Sequence, residues 1–192
     1  MKQIAVITSP LFLTSEPEML TALFEAGLEL LHLRKPGAAI AEYEGLLRVI
    51  PEQYHRRIRL HSFFELADRY DVMGVHLNRR NPHYTGTRPV GISRSCHSID
   101  ELRQIDQYDY VFLSPIFDSI SKEGYGSGFS EEELRQASDA GLIHERVFAL
   151  GGIDNSTLPL LNPYPFGGVA LLGTIWRGGD SVRNYRTIKD II

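Results

Sequence analysis

Two glycine-bearing stretches near the C-terminus carry the clearest chemical signal in this sequence. They are Ala149-Leu150-Gly151-Gly152-Ile153 and Gly167-Gly168-Val169-Ala170-Leu171-Leu172-Gly173-Thr174-Ile175. Glycine lets backbone N–H groups approach an anion closely and point at it, so such loops hold phosphate without cationic side chains. Glycine pairs also mark ordinary turns, but two of them at the ends of successive apolar runs favour the phosphate reading. A third stretch, Ser119-Ile120-Ser121-Lys122-Glu123-Gly124-Tyr125-Gly126-Ser127-Gly128, offers two hydroxyls and an ammonium to a diphosphate, and its glycines permit a lid. A plain solvent loop explains its composition equally well. Arg34 is a fork-shaped donor of permanent charge, suited to phosphate or to a salt bridge.

The other polar residues of interest end apolar runs: His32, His61, His76 with Asn78, Ser93 with Ser95, and Ser114. For any single histidine among them, capping a strand or filling a polar layer is the plainer reading. No metal-ligand pattern of diagnostic spacing is present. Cys96 reads as a small buried filler, and His97 has no carboxylate partner fixed by spacing.

The elements that must position these groups recur along the chain. Eight short apolar runs occupy Ile4–Thr8, Leu28–Leu33, Ile58–His61, Val72–Leu77, Val90–Ser93, Tyr110–Leu113, Val147–Leu150 and Gly168–Leu172. Several are continuously apolar, the pattern of parallel strands buried on both faces. Helical segments are predicted over Pro17–Ala26, which follows Ser15 and carries early acidic residues, and over Ala38–Val49. Ser62 with Glu65 has capping-box spacing for a helix to Tyr70, and Ser98 with Glu101 repeats it. Ser130–Ala140 opens on three glutamates, suited to the positive end of a helix dipole. Asn155–Leu161 and Ser181–Ile191 complete the set. Asn78–Arg88 holds two prolines, a glycine and no helical period, so a loop replaces the helix after strand four. Eight βα units predict an α/β fold, a (β/α)₈ TIM barrel, as a single domain over 1–192. In that fold, ligands meet the C-terminal strand ends, and the loops after strands seven and eight form the phosphate site.

Composition removes other classes. A net charge of −4 and a pI of about 6.0 argue against nucleic acid or anionic membrane as partner. No apolar stretch approaches the ~20 residues of a membrane span. One cysteine among 192 residues allows no internal disulfide, which fits a reducing, cytoplasmic setting. The sequence leaves the oligomeric state open, a homodimer included.

Taken in order, these segments resemble the thiamin phosphate synthase and thiazole tautomerase superfamily over nearly the whole chain. The resemblance rests on His32-Leu33-Arg34, Gly74-Val75-His76-Leu77, Ser95-Cys96-His97-Ser98, Asp109-Tyr110-Val111 with Ser114-Pro115-Ile116-Phe117, Ser119-Ile120-Ser121-Lys122 and the two glycine stretches. It implies thiamin biosynthesis, with phosphorylated thiazole and pyrimidine ligands as partners. The synthase joins a hydroxymethylpyrimidine diphosphate to a thiazole phosphate. Diphosphate leaves first, and the thiazole nitrogen captures the pyrimidine cation. By that resemblance Arg34, Ser95 and Lys122 are catalytic. Ser119 and Ser121 help to hold the diphosphate, and His32 and His61 line the substrate. Gly151, Gly152, Gly173 and Thr174 hold the thiazole phosphate.

The departures are equally specific. The family's Mg²⁺ carboxylates correspond here to Ser62 and Asn81. Magnesium prefers hard anionic oxygens, so the cofactor site is predicted to be severely weakened. The usual lysine two residues past the arginine is Pro36, with Lys35 adjacent. The tautomerase histidine at the end of strand six is Pro115, the synthase version. A tautomerase using a relocated base (His97, His76 or His61) and a non-catalytic binder of thiazole phosphate or thiamin phosphate are the alternatives.

Overall fold

In the computed structural model, which describes residues 2–117 and 128–192, the eight apolar runs become eight parallel strands closed in sequence order. They are β1 (Gln3–Ile7), β2 (Leu30–Leu33), β3 (Ile58–Leu60), β4 (Gly74–Leu77), β5 (Gly91–Cys96), β6 (Tyr110–Leu113), β7 (Val147–Leu150) and β8 (Gly168–Leu171). Pairing of β8 with β1, Gln3 opposite Gly168 through Val6 opposite Leu171, closes the barrel. The helices are α1 (Glu16–Glu25), α2 (Ile40–Val49), α3 (Glu131–Asp139), the single turn α4 (Gly173–Trp176) and α5 (Ser181–Lys189). Only 3₁₀ turns occupy Phe64–Asp68, Asp100–Gln104 and Leu158–Leu161. A chain this short closes eight strands because several connections shrink to such turns.

Strand alternation divides the core in two. Ile4, Val6, Leu31, Leu33, Val111 and Leu113 face outward to the helices. Ala5, Ile7, Leu30, Tyr110, Phe112, Phe148 and Ala170 form a separate inner cluster. The inward set stays in register around the barrel: Ile7 opposite His32, His32 opposite Arg59, His76 opposite Ser93, Ser93 opposite Tyr110 and Phe112 opposite Phe148. Barrel interiors are usually filled by branched apolar side chains. Here the arc from β2 to β6 carries most of the polar inward side chains, among them His32, Arg59, His76 and Ser93. Gly168 marks the crowded apolar half, where a Cβ would lie 2.6 Å from the Phe148 ring.

Local signals were met unevenly. Ser130 caps α3 as its sequence predicts, accepting from the Glu133 amide while the Glu133 side chain returns to Ser130 N. Ser98 and Glu101 also make their reciprocal bonds, yet they open only a 3₁₀ turn. The helix predicted after Ser62 is likewise a 3₁₀ turn. Phe63 takes a left-handed φ of 53°, which turns the chain before it, and the Ser62 hydroxyl accepts from Asn81 instead of capping. Asn155–Leu161 forms no α-helix because Asp154 gathers the Ser156 and Thr157 amides into a turn and Pro159 follows. Ser15 precedes α1 at φ 57° without a side-chain cap. The loop expected over Asn78–Arg88 is present, its start closed by an Asn78–Asn81 bridge.

Lys35 does not reach the mouth in place of the absent lysine. Its ammonium is buried against the Glu16 carboxylate at 2.5 and 2.6 Å and donates to the Ser9 and Leu11 carbonyls. It pins the β1–α1 loop. Removing one partner of a buried pair strands the other charge, at a cost of about 3–5 kcal/mol. Glu16→Gln is therefore expected to destabilise the fold by that order in urea unfolding, and a loss under about 1 kcal/mol would contradict the assignment.

Candidate active site

All eight strands end on one face. Because the barrel closes in sequence order, β3 stands across it from β7, and β4 from β8. The β2–β4 arc is the cationic side. Arg34 follows β2, its amide donating to Thr8 Oγ1 at 2.9 Å while the Thr8 hydroxyl donates to its carbonyl. Its half-buried guanidinium makes no ion pair among the described residues. Burial, and then the nearby Arg80, lower its pKa. Positive potential is thus supplied locally on an acidic protein.

The metal positions of the family fall on this arc. Asn81 Nδ2 donates to the His61 carbonyl at 2.9 Å and to Ser62 Oγ at 3.3 Å. Asn78 Nδ2 donates to the same carbonyl, and its Oδ1 accepts from the Arg80 and Asn81 amides. These neutral groups satisfy one another, with two arginines beside them. Magnesium calls for anionic oxygens, and the donor set does not fit it.

Beneath the mouth lies a trio that spacing did not reveal. His32, His61 and His76 offer ligand atoms within 4.8 Å of one another. His32 Nδ1 lies 2.8 Å from His61 Nε2, and His32 Nε2 lies 2.7 Å from the Tyr110 hydroxyl. His76 stacks on His61 at 4.3 Å and bonds Ser93 and Ser95 through its two nitrogens. Burial is the largest cause lowering all three pKa values, that of His61 to about 3. Arg34 (on His61 and His76) and Arg59 (on His32 and His76) add repulsion. The field that keeps these rings neutral also opposes a cation among them. His32 is fully buried, and both its nitrogens are engaged inside the protein. His61 keeps 6% exposure, and its amide is tied to the α2 hydroxyl Tyr43.

These shifts set a pH dependence. Below about pH 6.5 the unfolded chain binds protons on these imidazoles, whereas the folded chain does not until much lower pH. Stability is thus full above 6.5 and falls as the pH drops below it, by about 1.4 kcal/mol per pH unit for each imidazole the fold keeps neutral. Urea midpoints should drop from pH 7.5 to 5.5, and equal midpoints would contradict buried neutral rings.

The β7–β8 arc is built from backbone. Gly151 and Gly152 adopt φ of 105° and 63°, the left-handed region glycine tolerates. The carbonyls of this loop turn into the protein. That of Gly151 accepts from Phe117 N, that of Gly152 from the Thr157 hydroxyl at 2.8 Å, and that of Ile153 from the Thr174 hydroxyl. The N–H groups of Gly152, Gly173 and Thr174 have no acceptor among the described residues. Gly173 and Thr174 begin α4, the short extra helix that such phosphate sites use. The Thr174 hydroxyl proton is already committed, so its amide is what remains for a ligand. Next to β5, a cavity of about 310 Å³ is lined in part by Asn78, Arg79, Ser95 and His97. Ser119, Ser121 and Lys122 lie outside the described residues. Tyr110 and Tyr43 were missed by reasoning on strand ends. Period-two alternation back from Phe112 would have placed Tyr110 inside the barrel.

The profile of the thiamine monophosphate synthase family matches residues 4–175. The crystal structure of a thiamine phosphate pyrophosphorylase from Bacteroides thetaiotaomicron superposes with a TM-score of 0.89 at 40% identity, covering 100% of this chain and 97% of that one. A thiamine phosphate pyrophosphorylase from Pyrococcus furiosus shares the fold at a TM-score of 0.77 and 19% identity, covering 98% and 94%. A thiamine-phosphate synthase of Limosilactobacillus reuteri is 23% identical over 154 residues, 76% of this chain and 70% of that one.

Proposed function

This chain belongs to the thiamine monophosphate synthase family, and on that footing we propose that it joins a hydroxymethylpyrimidine diphosphate to a thiazole phosphate. The observation that carries this reading is the pairing of two arcs on one mouth: a guanidinium after β2, and backbone amides that have no acceptor among the described residues after β7 and β8. A condensation of two phosphorylated substrates needs both. The C–O bond to diphosphate breaks with its electron pair on the leaving group, and the thiazole nitrogen forms the new C–N bond. Arg34 stabilises the charge growing on diphosphate, and the resemblance adds Ser119, Ser121 and Lys122 to that side. Gly151, Gly152, Gly173 and Thr174 hold the thiazole phosphate through backbone. The neutral trio beneath the site adds no positive charge opposing a pyrimidine cation.

Incubation with both substrates should yield thiamin phosphate and diphosphate. Product should form with little response to Mg²⁺, and Ser62→Asp with Asn81→Asp should create Mg²⁺ binding that calorimetry detects. No condensation with or without Mg²⁺ would overturn the reading. Proton exchange into the thiazole in its place would indicate a tautomerase, and tight binding alone a carrier.

A further inference from the structure

Ser95, at the end of β5, has its hydroxyl 2.9 Å from His76 Nε2, and His76 Nδ1 lies 2.9 Å from Ser93 Oγ. The contacts assign the protons. Ser93 has a single one, and its hydroxyl also meets the Val75 carbonyl at 3.3 Å, an atom that only accepts. Ser93 donates there, which leaves its oxygen to accept from His76 Nδ1–H. The lone pair of a neutral His76 is then on Nε2, so the Ser95 hydroxyl must donate to it. With its proton directed inward, Ser95 presents lone pairs to the mouth. The opposite order would break the Ser93–Val75 bond and leave that carbonyl the Arg59 guanidinium at 3.5 Å.

The surroundings hold this arrangement. The His76 ring is fully buried, stacked on His61, edge-on to His32 at 5.0 Å and 4.6 Å from Phe112. The charged groups acting on it are Arg59 and Arg34, both cations, and burial with those charges keeps the ring neutral. A neutral ring can accept from Ser95; a protonated one would reverse the bond.

We infer that His76 and Ser93 are positioning residues that fix the Ser95 hydroxyl as a hydrogen-bond acceptor, so that the β5 side of the mouth selects a ligand bearing an N–H or O–H donor. The polarity rests on the network; that the ligand is the pyrimidine diphosphate rests on the proposed condensation. An acceptor oxygen also suits a carbon that becomes positive as diphosphate departs.

Nitrogen-15 NMR of the histidine side chains in the full chain tests the polarity directly. His76 should show a protonated Nδ1 and an unprotonated Nε2, unchanged from pH 8 to 5.5. A proton on Nε2, or titration near 6.5, would overturn the inference. In Ser93→Ala the Nδ1–H loses its acceptor, so the proton should move to Nε2 and Ser95 should turn its own outward. The kcat/KM for the pyrimidine diphosphate should then fall about 10- to 100-fold, the scale of one misdirected hydrogen bond, while the KM for thiazole phosphate stays within twofold. A variant that folds, shifts its tautomer and keeps full activity would sink the positioning role. If the natural protein performs no condensation, the NMR still decides the polarity, and the proposed function alone fails.

Discussion

Alanine in place of Arg34 is expected to lower kcat for the condensation by about 10²- to 10³-fold, the effect of removing one donor aimed at developing charge. Three features single this residue out. Its backbone is locked to Thr8 by two hydrogen bonds, so the guanidinium starts from a fixed base. Among the described residues it neutralises no carboxylate, so the substitution strands no buried partner and stability should change little. It also acts on His61 and Arg80, the sequence neighbours of Ser62 and Asn81, and among the described residues that pair bonds through neutral groups alone. More of the leaving-group charge therefore falls to the guanidinium than in a site where two aspartates hold a divalent cation. Arg34→Lys keeps the charge but loses the two-pronged geometry, and should recover only part of the rate. Steady-state kinetics, with inhibition by diphosphate as the binding readout, checks both variants. A kcat for Arg34→Ala within threefold of the parent would remove Arg34 from the chemistry.

What the sequence revealed, and what it hid, follows from the range of each signal. Tyr110–Leu113 and Val147–Leu150 form strands with the bounds their apolar runs suggest, because a strand buried on both faces needs nothing but its own residues to be recognised. The strand around Ser93 extends three residues further, to Cys96, since its polar Ser95 is inside a barrel half that is itself polar. Ser98–Glu101 and Ser62–Glu65 share one spacing, yet only the first pair forms its bonds. A left-handed Phe63 separates them, and no local rule announces it. The same limit governs the site. Gly151 and Gly152 were legible because backbone geometry is written in glycine. The role of His32 was not: its neighbours His61, His76 and Tyr110 come from three other strands, and burial by those neighbours turns a strand-end histidine into an interior one. Nor could spacing show that Asn81 and Ser62 bind each other, since they follow different strands.

The second large effect is expected at Gly152, where valine should abolish measurable binding of thiazole phosphate. At φ 63° any L side chain costs about 1–2 kcal/mol, and relief of that strain would rotate an amide the cradle uses. Its carbonyl is already fixed by Thr157, so the loop cannot yield on that side without breaking a 2.8 Å bond. Strain alone could mimic loss of a site, and Gly173 separates the two causes. It has no positive φ, and a Cβ there meets nothing within 4 Å, so Gly173→Val should fold as the parent does. It should nonetheless weaken thiazole phosphate binding more than tenfold, because the added methyls occupy space a phosphate would fill beside the first amides of α4. Calorimetric titration with thiazole phosphate, paired with thermal unfolding of each variant, decides the matter. If Gly173→Val keeps both its melting temperature and its affinity, the phosphate does not sit at α4. If Gly152→Val also binds normally, the amide arc is not the phosphate site. The expected pattern is a lowered melting temperature at Gly152 alone and lost affinity at both, which ties the anion to backbone N–H groups on two successive strand exits.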